Sequence, residues 1–107
     1  MFDNYTLGYK MFEGYNELIC LKCNNKTINV KDMSESTIEL LTALTYISDK
    51  DRMQFKTFEN LSTMLGYETI LEGVKDLEEQ GVKIMPDHYY RRLVIDKNKN
   101  KYKGLMR

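Results

Sequence analysis

Apolar residues in this 107-residue chain change their spacing twice, and that change limits the folds open to it. Through the first third the period is two. Tyr5, Leu7, Tyr9 and Met11 alternate with other residues, the pattern of a strand with one apolar face. Glu13-Gly14 offers a turn, Leu18 to Leu21 is a short apolar run, and Asn24-Asn25 tolerates the positive φ of a tight hairpin. Thr27 to Val30 alternates again on the far side. Two or three antiparallel strands are expected before residue 34.

The spacing then lengthens to three and four. Ser36-x-x-Glu39 has the form of a capping box, in which each residue satisfies a free backbone N–H of the other. Ile38, Leu41, Leu44, Tyr46 and Ile47 build an apolar stripe behind it, and Asp49 to Asp51 ends the helix. Arg52 to Phe55 alternates briefly and suggests one short strand. Thr57 is placed to cap a second helix carrying Phe58, Leu61, Met64 and Leu65, which Gly66 breaks. A third helix buries Ile70, Leu71, Val74 and Leu77 and ends at Gly81.

Beyond Gly81 the period of two returns. Val82 to Ile84 and Tyr89 to Ile95 read as the strands of a hairpin, the second rich in β-branched and aromatic residues. Met85-Pro86-Asp87-His88 between them carries the turn signal. From Asp96 onward no apolar period remains, so the segment extends the hairpin or frays. The expected class is α+β in a single domain, 1–107. Residues 1–33 form an N-terminal β extension, 34–95 the core and 96–107 a basic tail.

Composition matters here for what it excludes and for how charge is distributed. No apolar run approaches the ~18 residues of a membrane helix. The first ten residues lack a basic stretch followed by an apolar core, so a secretory signal is not expected and the location is taken as cytoplasmic. Lys+Arg and Asp+Glu are both 16, giving zero net charge. That balance hides a polarity. Residues 82–107 hold eight basic and two acidic side chains, while residues 1–81 hold eight basic and fourteen acidic ones. Such a chain presents a basic face to a polyanion while staying neutral overall.

Helix, short strand, helix, tight turn, helix and hairpin is the order of a winged helix-turn-helix. Leu61-x-x-Met64-Leu65-Gly66-Tyr67-x-Thr69-Ile70 resembles the helix-turn-helix core of that family, in which a Gly sits at the turn. Val74 to Val82, with its Leu-Glu-x-x-Gly run, resembles the end of the family's recognition helix leading into the wing. The resemblance spans about residues 36–95. It implies three helices plus a C-terminal β-wing and binding of double-stranded DNA, with the third helix in the major groove. The added N-terminal hairpin, acidic third helix and basic wing further resemble the small accessory proteins of plasmid relaxosomes. That likeness implies binding at an origin of transfer, beside other relaxosome proteins, to assist conjugation. A transcriptional, replication or partition regulator of a mobile element is the alternative, as is a protein-interaction module whose acidic helix docks a basic partner.

One departure from the family bears on the mechanism. The outer side of the third helix shows Glu68, Glu72, Asp76 and Glu79 against Lys75 alone. DNA carries one negative charge per ~1.7 Å of axis and repels such a face. The expected DNA-binding residues are therefore those of the hairpin and the start of the basic tail: Lys83, His88, Tyr89, Tyr90, Arg91, Arg92, Lys97 and Lys99. On a strand, Arg91 and Arg92 would point to opposite faces, one to phosphate and one to a groove. The N-terminal strand offers an apolar face and a free edge, so a homodimer through Tyr5, Leu7, Tyr9 and Met11 is expected.

Other chemistry has little support. Cys20-x-x-Cys23 lacks the further ligands that zinc requires, with His88 the single His. A redox pair of this spacing normally opens a helix, whereas this one lies at a strand end. Thr57, Ser62 and Thr69 have no base beside them. No catalytic residue, metal or cofactor is expected, and the chain is read as a binding protein, not an enzyme.

Overall fold

A computed structural model describes the backbone of residues 3–105 and the side chains of residues 3–99. The first third is an antiparallel sheet of three strands in the order β1 (Thr6–Phe12), β2 (Tyr15–Cys23), β3 (Lys26–Asn29). Glu13 and Gly14 join the first two strands with φ of 46° and 90°, as a type I′ turn demands. Tyr9 faces Leu18 but Gly8 faces Cys20, so Ile19 is an extra residue and β2 bulges there. The bulge keeps Leu18, Leu21 and Cys23 on one face, which is the sheet's share of the core. Strict alternation from Leu18 would have turned Leu21 and Cys23 to solvent.

Four helices follow: α1 (Glu35–Leu44), α2 (Phe55–Leu65), α3 (Tyr67–Glu79) and α4 (Asp87–Leu105). The α3 helix touches each of the others and buries Ile70, Val74 and Leu77 completely. Its closest neighbour is α1. A Cβ on Gly73 would stand 3.0 Å from Leu40 Cδ2 and 3.1 Å from the Ser36 carbonyl, so the missing side chain sets the distance between the two helices. Gly66 alone separates α2 from α3, at φ 97° and ψ 141°, a backbone region open essentially to glycine. The expected break at Gly66 and the four expected core residues of the third helix are thus present. Beyond Gln80 the chain leaves α3 through a Schellman motif, with Gly81 N–H bonded to Glu78 O and Val82 N–H to Leu77 O at 2.9 and 2.8 Å.

The helix starts differ from expectation. Ser34, not Ser36, caps α1, and its hydroxyl oxygen accepts from Thr37 N–H at 3.2 Å. Ser36 lies inside the helix. Within the expected α1 stripe, Leu41 and Leu44 are buried, but Tyr46 lies past the helix and is exposed. Arg52 to Phe55 forms no strand; Asp51–Met53 is a turn of 3₁₀ helix and α2 begins at Phe55. Gln54 occupies the α2 cap position, while Thr57 sits in the first turn and donates its hydroxyl to Asp51 O at 2.6 Å.

The C-terminal hairpin is the largest correction. Residues 82–84 belong to no strand or helix. Lys83 instead exchanges two hydrogen bonds with the N-terminal segment, Asp3 N–H to Lys83 O at 2.6 Å and Lys83 N–H to Asp3 Oδ2 at 2.8 Å. From Asp87 the chain is helical, and Pro86 O accepts from Tyr89 N–H and Tyr90 N–H. Leu93 is fully buried, with Tyr89, Tyr90, Val94 and Lys97 half-buried beside it. That is the spacing of a helix face. A strand would have placed Arg91 on the same side as Tyr89 and Leu93. A helix therefore takes the place of the β-wing, and the tail expected from Asp96 to extend the hairpin or fray continues that helix. The α+β class stands, with its sheet at the N-terminus alone among the described residues.

Of the residues expected at a dimer interface, Tyr5 and Leu7 pack against the core of their own chain. Tyr9 and Met11 remain exposed, at 42% and 76%. Among the described residues no helix is long and apolar enough to cross a membrane.

Candidate nucleic-acid interface

The basic side chains singled out in the sequence all lie on or just before α4, and the helix sorts them into two sets. The inner set is paired. Lys83 Nζ lies 2.6 Å from Oδ1 of Asp87, the first residue of α4. Their mutual hydrogen bond raises the Lys83 pKa and lowers that of Asp87. Lys97 reaches across to Glu68 of α3 at 3.3 Å. Tyr89 turns inward, its ring 5.4 Å from that of Phe55 and 6.4 Å from that of Phe58, and its hydroxyl donates to Met53 O at 3.3 Å. Tyr90 lines the groove between α3 and α4, opposite Leu71. Tyr89, Tyr90 and Lys97 hold α4 to the body, and the Lys83–Asp87 pair ties the start of the helix to the segment just before it.

The outer set faces solvent. His88, Arg92, Ile95 and Lys99 follow at intervals of four, three and four, so they form one stripe along the helix, with Arg91 beside it. All five are exposed. Arg92 is positioned from below: its guanidinium carbon stands 4.6 Å from the centre of the Phe55 ring, a cation–π contact that orients the group without neutralising it. The His88 ring packs edge-on against Tyr89 with centroids 4.7 Å apart. Among the described residues Arg91, Arg92 and Lys99 have no ion-pair partner. Lys101, Lys103 and Arg107, also counted in the basic segment, lie outside the described side chains.

Sequence reasoning missed two members of this surface. Ile95 is 53% exposed within the basic stripe, and helical numbering from Arg92 would have found it. Lys56 of α2 borders the same groove as Lys99, a juxtaposition that the packing of α4 on α2 creates, but it is paired with Glu59 at 3.3 Å, and Glu59 and Asp96 line that groove too.

The acids of α3 have structural work. Asp76 Oδ2 accepts from the Ser34 N–H at 3.2 Å and the Thr37 hydroxyl at 2.6 Å, while Oδ1 accepts from the Gln80 amide at 3.4 Å. Partial burial pushes this carboxyl up, but the hydrogen bonds outweigh it and the pKa is lowered. The carboxylate also sits at the positive N-terminal end of α1. Glu72 accepts from the Ser36 hydroxyl at 2.9 Å, and Glu68 pairs with Lys97. Asp76 and Glu72 thus tie α3 to α1, and Glu68 ties it to α4, while Glu79 stays exposed with no ion-pair partner among the described residues.

Cys20 and Cys23 are both free and buried, three residues apart on β2 and so on opposite faces of the sheet. Cys23 belongs to the core, where burial raises its pKa. Cys20 lies under Gly8, where a Cβ would come within 2.7 Å of its sulfur. The pair cannot grip one metal ion.

No family model, curated protein or solved structure matches this chain.

Proposed function

We propose that this protein binds duplex DNA through the outward stripe of α4 and catalyses no reaction. The observation that carries the reading is the sorting of charge on and beside that helix: Lys83 and Lys97 are each paired with a carboxylate, while Arg91, Arg92 and Lys99 are exposed with no ion-pair partner among the described residues. A 19-residue helix is about 28 Å long, enough to lie in a major groove and meet phosphates on both sides. Arg91 and Arg92 are neighbours about 100° apart on one helix, so both reach the same duplex, one toward base edges and one toward the backbone. Ile95 supplies an apolar contact of the kind that reads a thymine methyl.

The resemblance in sequence to relaxosome accessory proteins suggests a locus on a mobile element, an origin of transfer in particular. That role joins the proposal with a helix where a wing was expected. Docking of a basic protein on α3 is disfavoured, because Glu68, Glu72 and Asp76 are engaged by α4 and α1. The test is fluorescence anisotropy with a labelled duplex at low salt, then recovery of bound duplexes from a random pool. Wild type is expected to bind and to enrich a common motif. A variant with Arg91, Arg92 and Lys99 all changed to Ala is expected to lose binding. Equal binding by that variant would overturn the reading.

A further inference from the structure

The outer edge of β1 pairs with no strand among the described residues, which carries an inference independent of DNA. We propose that two copies of this chain pair through that edge, antiparallel, about a two-fold axis at Tyr9.

Backbone direction determines which residues of β1 can pair outward. Phe12 and Tyr15 flank the two-residue turn, so they form a hydrogen-bonded pair and the Phe12 N–H and C=O point toward β2. Alternation along β1 then aims the polar groups of Lys10, Gly8 and Thr6 at β2. Those of Met11, Tyr9 and Leu7 face the open edge. The bulge does not disturb this order, because the extra residue is on β2. An edge with three residues aimed outward is a template for another strand.

Register agrees with that direction. Tyr9 is the midpoint of Thr6–Phe12, so a two-fold axis there pairs the whole strand with its copy. Tyr9 meets the partner's Tyr9, and Leu7 meets the partner's Met11, through about six backbone hydrogen bonds. In the same register Lys10 lies opposite the partner's Gly8, and Thr6 opposite the partner's Phe12. Lys10 is the single charged residue of β1, and no like charge opposes it. Its own cross-strand neighbour is Glu17.

The same strand leaves apolar surface uncovered. Met11 is 76% exposed, Phe12 51% and Tyr9 42%. Leu7, Tyr9 and Met11 share the core-facing side of the sheet, and the last two stay exposed, so pairing would cover Tyr9 with its own copy and Met11 with the partner's Leu7. Side chains of this size bury roughly 100 Å² each from such a starting point. The sum falls well below the ~800 Å² per partner of a standard interface, so the dimer is expected to be reversible.

The test uses the full chain without DNA. Sedimentation equilibrium over a concentration series should show mass rising from 12.7 kDa toward twice that value. Register is read by cross-linking under oxidised glutathione. Tyr9→Cys should give a disulfide-linked dimer, because its two copies meet at the axis. Thr6→Cys alone should not, since its copies lie about 20 Å apart, but mixed with Phe12→Cys it should cross-link. Circular dichroism of each variant confirms that it is folded. A constant 12.7 kDa up to high concentration would overturn the proposal, as would cross-linking of Thr6→Cys alone at the rate of Tyr9→Cys.

Discussion

Tyr5 carries a phenol that is buried with no hydrogen-bond partner among the described atoms. Burial pushes its pKa up to about 12, with Arg52 opposing and Asp49 adding to the rise. A hydroxyl left unpaired in this way costs free energy that a phenyl ring does not. Tyr5→Phe is therefore expected to leave stability unchanged or raise it by up to about 1 kcal/mol, measured by urea unfolding at pH 7. The fold favours the neutral phenol, so its contribution is complete below pH 10 and is lost as pH rises through about 12. Comparing wild type with Tyr5→Phe across that window isolates it. Asp76 behaves with the opposite sign. Its pKa is lowered, so its contribution is present above the ordinary value of 3.8 and disappears as pH falls below it. Asp76→Ala should cost about 1–2 kcal/mol at pH 7, discounted for partial exposure, and the difference from wild type should vanish at strongly acidic pH.

At the scale of elements, the α1–α3 contact is the tightest place in the fold. Gly73→Ala gains about 1 kcal/mol of helix propensity, but its Cβ meets the Ser36 carbonyl at 3.1 Å, and backbone cannot swing aside as a side chain can. A net loss of roughly 1–2 kcal/mol in urea unfolding is expected. Docking of α4 is tested by Leu93→Ala, which removes a fully buried side chain and should cost about 2–4 kcal/mol. The strands and α3 were legible in the sequence because each has a marked end, Glu13-Gly14, Asn24-Asn25, Gly66 or Gly81, and β1 and α3 each keep one period, whereas the bulge at Ile19 that breaks the period of β2 had no signal of its own. The α4 helix was not. Tyr89, Tyr90, Leu93 and Val94 fit a helix face, but Val94, Ile95 and two tyrosines also satisfy strand propensity. Packing against α2 and α3, not local preference, settles the choice. The Pro86-Asp87 pair that reads as a turn equally precedes a helix, with Asp87 in its first turn. The Ser34 cap was hidden for a similar reason: its partner is Thr37, and the carboxylate completing the arrangement comes from Asp76, far along the chain.

For the whole molecule, the polarity visible in the sequence survives folding in altered form. The basic residues expected on a hairpin and the tail after it lie on or beside one helix, which docks on α3 through Lys97 and pairs its first residue, Asp87, with Lys83. Glu68, Glu72 and Asp76 of α3 are engaged by α4 and α1, and the outward stripe of α4 carries basic side chains with no ion-pair partner among the described residues. The salt dependence of duplex affinity tests this most directly. In log–log form its slope counts the phosphates neutralised, about 0.9 per contact. Measured by anisotropy from low to moderate salt, Arg91→Ala and Lys99→Ala should each reduce the slope by about one. Lys83→Ala and Lys97→Ala should leave it unchanged, since their charges face Asp87 and Glu68. Absence of duplex binding by the wild-type chain at low salt, or an equal loss of slope from the inner and outer lysines, would contradict the assignment of α4 as the binding surface.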